Sequence, residues 1–244
     1  MSVLLPSRVP SGPAAVPATG LEVWQVALDA TDDRAAAAAA LLGPEELDRA
    51  NGGTPVVRRR RVLLRAALRT VLGRTLELAP GDVPLRTTSA GRPYVDLPGA
   101  GWDVSCSRSA SLGLVAVARG HRIGIDVEQV APWDDAVLRE GWLTSAEAVA
   151  LVSLPHDLRA GAATRRWTQK EAALKALGSG LSVSTSLLPV SADESRAGGW
   201  CLFPVSVPVG FSATLASSSS GRGPGQPLRP LLLADLTTPD GTPP

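Results

Sequence analysis

The chain has 244 residues, 44% of them hydrophobic, and a formal net charge of +1 at pH 7. That length allows a sizeable core, in one large domain or in two lobes of about 100 residues each. The near-neutral charge gives no global sign of a nucleic-acid partner, and the two cysteines make neither a disulfide framework nor, by themselves, a zinc site. We see no secretory signal pattern and no apolar run near the about 20 residues that cross a bilayer, so we expect a soluble, cytoplasmic protein without membrane contact.

The first part of the chain is predicted to combine one strand with three helices. Residues 1–20 are rich in Pro, Ala, Ser and Gly and are expected to be loose. Apolar spacing and helix-end residues predict a strand at 21–28 and helices at 35–42, from Pro44 onward, and at 56–72, the last ended by Gly73.

Strands dominate the middle and the end of the chain. Helices are predicted at 133–152, with a break near Gly141, and at 164–177, where Gly178 provides the C-terminal cap. Residues 112–127 are predicted to form a hairpin. The predicted strands are 102–107, 112–118, 123–127, 200–207 and 210–216.

The segment Gly124-Ile125-Asp126-Val127-Glu128 places two carboxylates on one side of a strand, because side chains two residues apart point the same way. Adjacent anions repel unless a positive group lies between them, and Mg²⁺ prefers a few carboxylates together with water and phosphate oxygens. The alternative is that Asp126 and Glu128 simply end an exposed strand edge.

The only two lysines, Lys170 and Lys175, lie in one predicted helix. Lysine is a mobile ammonium that can give up a proton, whereas arginine keeps its proton at ordinary pH. At about 100° per residue, Glu171 shares a stripe with Trp167, Leu174 and Lys175, and a carboxylate on an apolar face is costly unless it is paired or binds metal. The alternative is an ordinary i,i+4 Glu–Lys pair on a solvated face.

A third cluster is basic and consists of the arginine run 58–61, Arg92 and Arg108. Arginine grips phosphate with two parallel hydrogen bonds, and small neighbours such as Gly91 and Ser105 let a ligand approach the backbone. The alternative is a solvated basic face. Taken together, the three clusters predict a site for a polyphosphorylated small molecule, in which carboxylates hold a divalent cation and basic side chains neutralise phosphates.

Several short motifs follow one another in a fixed order. They are Gly91-Arg92-Pro93, Asp103-Val104-Ser105-Cys106-Ser107, Gly124-Ile-Asp126-Val-Glu128, Trp142-Leu143-Thr144-x-x-Glu147, Trp167-x-x-Lys170-Glu171-Ala172-x-x-Lys175 and Gly178-x-Gly180-Leu181. This series resembles the 4′-phosphopantetheinyl transferases, most closely the large pseudodimeric type that serves secondary-metabolite synthases. The resemblance covers residues 21–216.

The resemblance implies an α/β (α+β) fold of two similar α/β halves, a pseudodimer with the active site between them. We therefore expect an N-terminal half at 21–123, a C-terminal half at 124–216 and a flexible tail at 217–244. Because one chain already contains both halves, a monomer is expected.

The resemblance also implies a reaction, in which a serine of an apo acyl or peptidyl carrier protein attacks the β-phosphate of coenzyme A. The serine receives the phosphopantetheine arm, and adenosine 3′,5′-bisphosphate is released. Carried over to this sequence, Asp126, Glu128 and Glu171 hold Mg²⁺, for which Mn²⁺ can substitute, on the pyrophosphate. Glu171, helped by Glu147, is the candidate base for the serine hydroxyl. Lys175 stabilises or protonates the leaving phosphate, which fits the dependence of phosphoryl transfer on positioning and charge neutralisation.

The same carry-over assigns residues to coenzyme A binding. They are Arg61, Gly91, Arg92, Pro93, Ser105, Cys106, Lys170 and Lys175. One departure matters, since Cys106 stands where relatives carry a histidine that helps to bind the 3′-phosphate of the nucleotide, and a thiol offers no cation. Arg108 or the arginine run 58–61, with Arg61 as the best-aligned member, is expected to compensate, and a weaker affinity for coenzyme A is expected.

Two other functions remain open on the sequence. One is a catalytically silent relative that binds coenzyme A or a carrier protein without transfer, for which Cys106 is the hint. The other is a nucleic-acid-binding protein that uses the arginine-rich helix. The net charge of +1 and the 4% aromatic content argue against nucleic acid as a partner, because basic surface and stacking aromatics are its usual marks.

Overall fold

A computed structural model of the chain describes residues 20–138, 140–178, 185–218 and 229–231, the last three by their backbone only. The strands in these ranges are β1 (Leu21–Ala27), β2 (Leu85–Thr87), β3 (Pro93–Val95), β4 (Trp102–Ser109), β5 (Leu112–Arg119), β6 (Ile123–Gln129), β7 (Arg196–Ala197), β8 (Trp200–Pro204), β9 (Phe211–Ser217) and β10 (Arg229–Leu231). The helices are α1 (Asp32–Ala39), α2 (Pro44–Ala50), α3 (Pro55–Leu76), α4 (Asp135–Leu138), α5 (Ser145–Val152) and α6 (His156–Leu177). This mixture of helices and mostly antiparallel sheets confirms the predicted α/β class. None of these helices is long and apolar enough to cross a membrane.

Two four-stranded sheets repeat one order of elements. In the first sheet, β1 is followed by α3 and by the hairpin of β4 and β5, and the strands lie in the order β10-β1-β5-β4. In the second sheet, β6 is followed by α6 and by β8 and β9, in the order β6-β9-β8-β7. In each case the opening strand pairs antiparallel with the last strand of the series. One chain therefore contains two βαββ units of the same topology.

Helix α3 covers one face of the first sheet. The Thr54 hydroxyl caps the helix by accepting a hydrogen bond from the Val57 N–H (3.3 Å), and Pro55 takes the first helical position. The buried face of the helix, with Leu63 and Leu68 at its centre, belongs to the same core cluster as Val115 of β5. Burial of these side chains holds the helix on the sheet.

Gly73 does not end α3 as the sequence suggested. The helix continues to Leu76 and closes at Glu77, which takes a left-handed conformation (φ 57°). A Cβ at Gly73 would lie 2.7 Å from the Leu78 carbonyl oxygen. The glycine is therefore needed for the close passage of the chain that leaves the helix.

The second face of the first sheet packs against the second sheet. Leu114 and Ala116 of β5 share a buried cluster with Ile125 of β6 and Leu215 of β9. Both faces of β5 are thus buried, which explains its nearly continuous apolar sequence. The two βαββ units are joined by a shared apolar core.

The predicted hairpin over 112–127 is wrong. Strand β5 uses both of its edges within the first sheet, for β1 and for β4, whereas β6 pairs with β9. The chain therefore crosses from one sheet to the other between Arg119 and Ile123. The hairpin that does form is β4–β5, and it turns at Ala110 (φ 47°).

Helix α6 crosses β6 at very short distance. A Cβ at Gly124 would lie 2.0 Å from the Ala172 carbonyl oxygen and 2.4 Å from the Ala176 nitrogen, so only glycine fits. The helix starts earlier than predicted, at His156, and ends as predicted at Gly178, whose N–H donates to the Leu174 carbonyl (2.9 Å). This contact brings the start of β6 next to the last turns of α6.

Some predicted segments fall outside the described residues. This holds for 1–19, for Gly180 and Leu181, and for most of the expected tail at 217–244. Within that tail, Arg229–Leu231 form β10, which pairs in parallel with β1. The first sheet therefore includes a strand from the C-terminal part of the chain. The helix predicted at 133–152 is the pair α4 and α5, separated around Gly141.

Candidate active site

The site forms where β4, β6 and α6 meet. Alternation along β6 places Ile125 and Val127 in the apolar core and turns Asp126 and Glu128 the other way. Asp126 is buried, and its Oδ1 accepts hydrogen bonds from Ser107 Oγ (2.7 Å) and from Lys175 Nζ (2.6 Å). The sequence-predicted carboxylate of β6 and the lysine of α6 are therefore in direct contact.

Helix α6 contributes a second carboxylate one turn before Lys175. Glu171 Oε1 is buried and has no hydrogen-bond partner among the residues that the structure describes, and Asp126 Oδ2 is in the same condition. A buried polar oxygen without a hydrogen-bond partner costs free energy. Two such oxygens close to one ammonium group therefore indicate a site that can bind a further ligand.

The charges of this cluster perturb one another. Burial raises the pKa of Glu171, and the nearby Asp126 and Glu128 raise it further, while Lys175 opposes the shift. Burial also raises the pKa of Glu128, with a contribution from Asp126, although the hydrogen bond from Ser109 opposes it. Burial would lower the pKa of Lys175, but Asp126 and Glu171 beside it raise the value above the ordinary one. Lys175 is therefore a firmly protonated cation among three mutually repelling carboxylates.

The three carboxylates are close but do not form a ready-made ion site. Among the described residues, no three His, Cys, Asp or Glu side chains are arranged to hold a metal ion. The fit to a cation comes from the two orphaned oxygens, Asp126 Oδ2 and Glu171 Oε1, and from the neighbouring Glu128. Oxygen donors of this kind suit a hard divalent cation such as Mg²⁺, which keeps several waters and takes few protein ligands.

Strand β4 supplies contacts that the sequence analysis missed. The hydroxyl of Ser107 reaches Asp126, and the hydroxyl of Ser109 donates to Glu128 Oε2 (2.7 Å). The available signal was the alternation of serine at 105, 107 and 109, which places three hydroxyls on one side of the strand.

Lys170 and Glu147 lie away from this cluster and pair with each other. Lys170 is fully buried, and its Nζ contacts Glu147 Oε2 (2.8 Å) and the carbonyls of Thr185 (3.0 Å) and Leu188 (3.1 Å). Since an ammonium group has only three donors, none is left for a phosphate. The expectation that Lys170 binds coenzyme A is not supported by these contacts.

Glu147 is equally occupied. Its carboxylate accepts from the backbone N–H groups of Thr144 (2.8 Å) and Val190 (3.0 Å) in addition to Lys170, and with Thr144 it forms the capping box of α5. The pair with Lys170 and these bonds lower its pKa although burial acts in the opposite direction. Through these contacts the side chain joins α5, α6 and the segment around Val190. The catalytic help expected from Glu147 stays a prediction.

Arg92 is used inside the protein. Its guanidinium donates to the carboxylate of Asp103 (2.6 Å), to the Ile123 carbonyl (2.9 Å) and to the Lys175 carbonyl. It thereby connects the Gly-Arg-Pro turn to the end of α6, and the expected contact of Arg92 with coenzyme A stays a prediction. Gly91 is exposed with open space around it (φ 86°), and Pro93 starts β3.

The remaining basic residues gather around Cys106. Burial raises the pKa of this thiol, and the cations Lys175, Arg65 and Arg108 oppose the shift, so all three lie in its neighbourhood. The pKa of Arg108 is lowered by partial burial and by the nearby Arg61 and Arg60. Arg61 donates to the Gly52 carbonyl (2.7 Å), and Ser105 Oγ accepts from the Ile125 N–H (3.0 Å). Arg108 of β4 therefore lies near Cys106 and near Arg61 of α3, and Lys175 of the carboxylate cluster is also near Cys106.

Comparison with known proteins identifies the family. The model of the 4′-phosphopantetheinyl transferase superfamily matches residues 122–214. The sequence is 34% identical over 191 residues to the 4′-phosphopantetheinyl transferase HetI of Nostoc sp., covering 75% of this chain and 81% of HetI. It is 30% identical over 161 residues to a Synechocystis sp. protein named as the same class of transferase, covering 65% of each. The chain belongs to the 4′-phosphopantetheinyl transferase superfamily.

Family membership confirms the predicted activity. The protein takes coenzyme A as substrate and transfers its 4′-phosphopantetheine arm to carrier proteins. Neither comparison favours a silent relative. The motif series in the sequence was sufficient for this conclusion.

Proposed function

We propose that transfer depends on Mg²⁺ held by Asp126, Glu128 and Glu171. The observation that carries this proposal is the pair of buried, partnerless oxygens, Asp126 Oδ2 and Glu171 Oε1. When bound, the metal supplies charge neutralisation and orientation for the pyrophosphate of coenzyme A, and Mn²⁺ is expected to replace it. Side chains of the protein accept the serine proton and stabilise the leaving phosphate.

Glu171 is the proposed base for the serine hydroxyl of the carrier protein. Its pKa is raised by burial and by Asp126, and a raised carboxylate pKa lies closer to the operating pH, which favours proton acceptance. Lys175 stays protonated beside it and stabilises the phosphate that leaves with adenosine 3′,5′-bisphosphate.

For coenzyme A we propose contacts beside β4 of the first sheet. Arg108 neighbours both Cys106 of β4 and Arg61 of α3, and the two guanidiniums suit the 3′-phosphate. The space around Gly91, two residues before Pro93, is open, so a ligand can approach the backbone there. Ser105 belongs to β4, beside Cys106. Lys170, Glu147 and Arg92 are proposed to act as structural ties instead.

The biological setting is also a proposal. We propose an enzyme of the cytoplasm that acts as a monomer on apo acyl or peptidyl carrier proteins of secondary-metabolite synthases. The two βαββ units support the monomer, because one chain supplies both sides of the site.

The decisive experiment follows the mass of an apo carrier domain incubated with the protein, coenzyme A and Mg²⁺. We expect the mass gain of one phosphopantetheine arm, its loss with EDTA, and its recovery with Mg²⁺ or Mn²⁺. Asp126→Asn and Glu171→Gln are expected to reduce the rate by at least about 100-fold, since even residues outside a metal's ligand set cost 10–100-fold.

Glu45→Gln is the matched control, because Glu45 is an exposed carboxylate that pairs with Arg49 of the same helix (3.6 Å). Its rate should equal that of the wild type. Undiminished transfer in EDTA would contradict the metal proposal and leave the family assignment intact.

A further inference from the structure

The two halves of the protein meet along a polar seam between β4 and β6. Each of these strands is the edge of its own sheet. Alternate side chains of β4 point at β6, and they are Asp103, Ser105, Ser107 and Ser109. An edge strand has unpaired backbone groups that need partners, and in this protein side chains of the other sheet provide them.

The four side chains divide into two kinds by whether they donate a hydrogen bond to a carboxylate of β6. Asp103 and Ser105 accept from backbone N–H groups of β6, at Ile123 (2.8 Å) and Ile125 (3.0 Å). Ser107 and Ser109 instead donate to the side chains of Asp126 and Glu128, both at 2.7 Å. Only the second kind touches the proposed ligands of the metal.

The direction of each serine hydroxyl is fixed by a second contact. Lys175 Nζ lies 2.9 Å from Ser107 Oγ, and because an ammonium group can only donate, the single proton of Ser107 is left for Asp126 Oδ1. The Gln129 N–H donates to Ser109 Oγ (3.0 Å), so the proton of Ser109 goes to Glu128 Oε2. Neither hydroxyl can turn away without losing a bond.

These bonds determine which carboxylate oxygens stay available. Ser107 and Lys175 occupy Oδ1 of Asp126, which leaves Oδ2 as the partnerless oxygen. Ser109 occupies Oε2 of Glu128 in the same way. Hydrogen bonds from outside the ligand set orient a ligand and prepare its free oxygen for the metal.

We propose that Ser107 and Ser109 are positioning residues that orient Asp126 and Glu128 for the divalent cation. The N-terminal half thereby contributes to a metal site whose ligands all come from the C-terminal half. This inference rests on the proposed function, because it assumes that Asp126 and Glu128 are ligands.

The test measures Mn²⁺ affinity of the full chain directly, by the electron paramagnetic resonance signal of free Mn²⁺, with saturating coenzyme A and a blank of coenzyme A alone. Ser107→Ala and Ser109→Ala are expected to weaken Mn²⁺ binding about 10–100-fold each. Ser107→Thr keeps the hydroxyl in a strand that accepts β-branched residues and should restore most of the affinity. The affinity for coenzyme A without metal should stay constant in all variants.

Thr214→Val is the matched control. Thr214 lies directly opposite Asp126 on β9, and among the described side chains its buried hydroxyl bonds Thr168 (3.0 Å) and no carboxylate. The control should lose thermal stability but keep its Mn²⁺ affinity. A structural effect of the serine variants would instead lower the melting temperature without changing the affinity.

The outcomes separate this inference from the proposed function. If Asp126→Asn loses Mn²⁺ while both serine-to-alanine variants bind it as the wild type does, the positioning role is overturned and the metal site stands. If Thr214→Val weakens binding as much as Ser107→Ala, the positioning role is again overturned. A wild-type protein that takes up no Mn²⁺ overturns both.

Discussion

Two lysines five positions apart on α6 have opposite surroundings. Lys170 is 0% exposed, and burial lowers its pKa although Glu147 opposes the shift. Lys175 lies among Asp126 and Glu171, which raise its pKa. The same side chain therefore serves as an internal tie in one place and as a cation of the site in the other, because the neighbours decide its electrostatics.

Lys170→Met should therefore act on stability. Removing one partner of a buried pair leaves Glu147 charged and partly unpaired, which typically costs about 3–5 kcal/mol. Urea unfolding measures the loss, and turnover of the remaining folded protein at low temperature should stay within several-fold of the wild type. Lys175→Met, in contrast, should reduce turnover more than it reduces stability. If Lys170→Met kept the stability of the wild type but lost turnover, Lys170 would bind the phosphates of coenzyme A and would not be a structural residue.

Cys106→His addresses the departure from the family motif. Cys106 lies near Arg65, Arg108 and Lys175, and an imidazolium there would add a donor and a cation toward the 3′-phosphate. We expect a lower KM for coenzyme A and an unchanged KM for 3′-dephospho-coenzyme A, measured in the same transfer assay. An equal KM for coenzyme A before and after the change would reject the idea that the thiol weakens binding.

At the scale of elements, the site depends on how closely α6 approaches β6. Gly124 is the point of contact with the helix, and the strand around it pairs with β9. The missing side chain lets the helix backbone come near enough for Lys175 to reach Asp126 across two elements. The glycine and the salt bridge are parts of one packing arrangement.

Gly124→Ala is expected to push α6 from β6. Its Cβ would lie 2.0 Å from a backbone oxygen, and overpacking of this kind typically costs about 1–3 kcal/mol, sometimes more. Activity should fall together with the melting temperature, because the contact between Lys175 and Asp126 lengthens.

Gly161→Ala provides the control on the same helix. Nothing lies within 4 Å of a Cβ at Gly161, so alanine should raise stability by about 0.5–1 kcal/mol through helix propensity. A Gly124→Ala variant with wild-type stability and activity would show that the close approach is not required.

At the scale of the whole molecule, each βαββ unit has a buried glutamate that holds its helices together. In the unit that starts with β1, Glu46 accepts from the Gly43 N–H (2.9 Å) and pairs with Arg65 and with Arg69 (2.7 Å). In the unit that starts with β6, Glu147 plays the corresponding part with Lys170. Burial raises the pKa of each glutamate, but the hydrogen bonds and cations outweigh it and lower both values.

Lowered carboxylate pKa values give a pH dependence with a definite sign. A folded pKa below the unfolded value of 4.5 means that the folded protein binds fewer protons, so these groups stabilise the fold above about pH 4.5. The stabilisation should be lost as the pH falls from there through the folded pKa values. Urea unfolding at a series of pH values between 3 and 7 measures it.

Glu46→Gln supplies the comparison for this titration. The variant should be less stable than the wild type at pH 7, and the difference should shrink toward acid pH, where the wild-type carboxyl is itself protonated. A difference that stays constant down to the acid limit would mean that the charge of Glu46 does not contribute.

The sequence by itself determined the family, the fold class and most element positions. Motif order predicted Asp126, Glu128, Glu171 and Lys175 as site residues, since local spacing already places their charges on common faces of a strand and a helix. Their roles stay a prediction. It also located the end of α6 at Gly178, since a left-handed cap is a local property.

The tertiary structure alone decided the pairing of strands and the use of individual side chains. Adjacency in sequence suggested a β5–β6 hairpin, but the competing partners β4 and β9 are distant in the chain. In the same way, Lys170 resembles Lys175 in sequence, and only packing shows which of them meets Asp126. Hydrogen bonds across the seam, such as that of Ser107, join residues from two sheets, and no local pattern encodes a contact that depends on how those sheets are assembled.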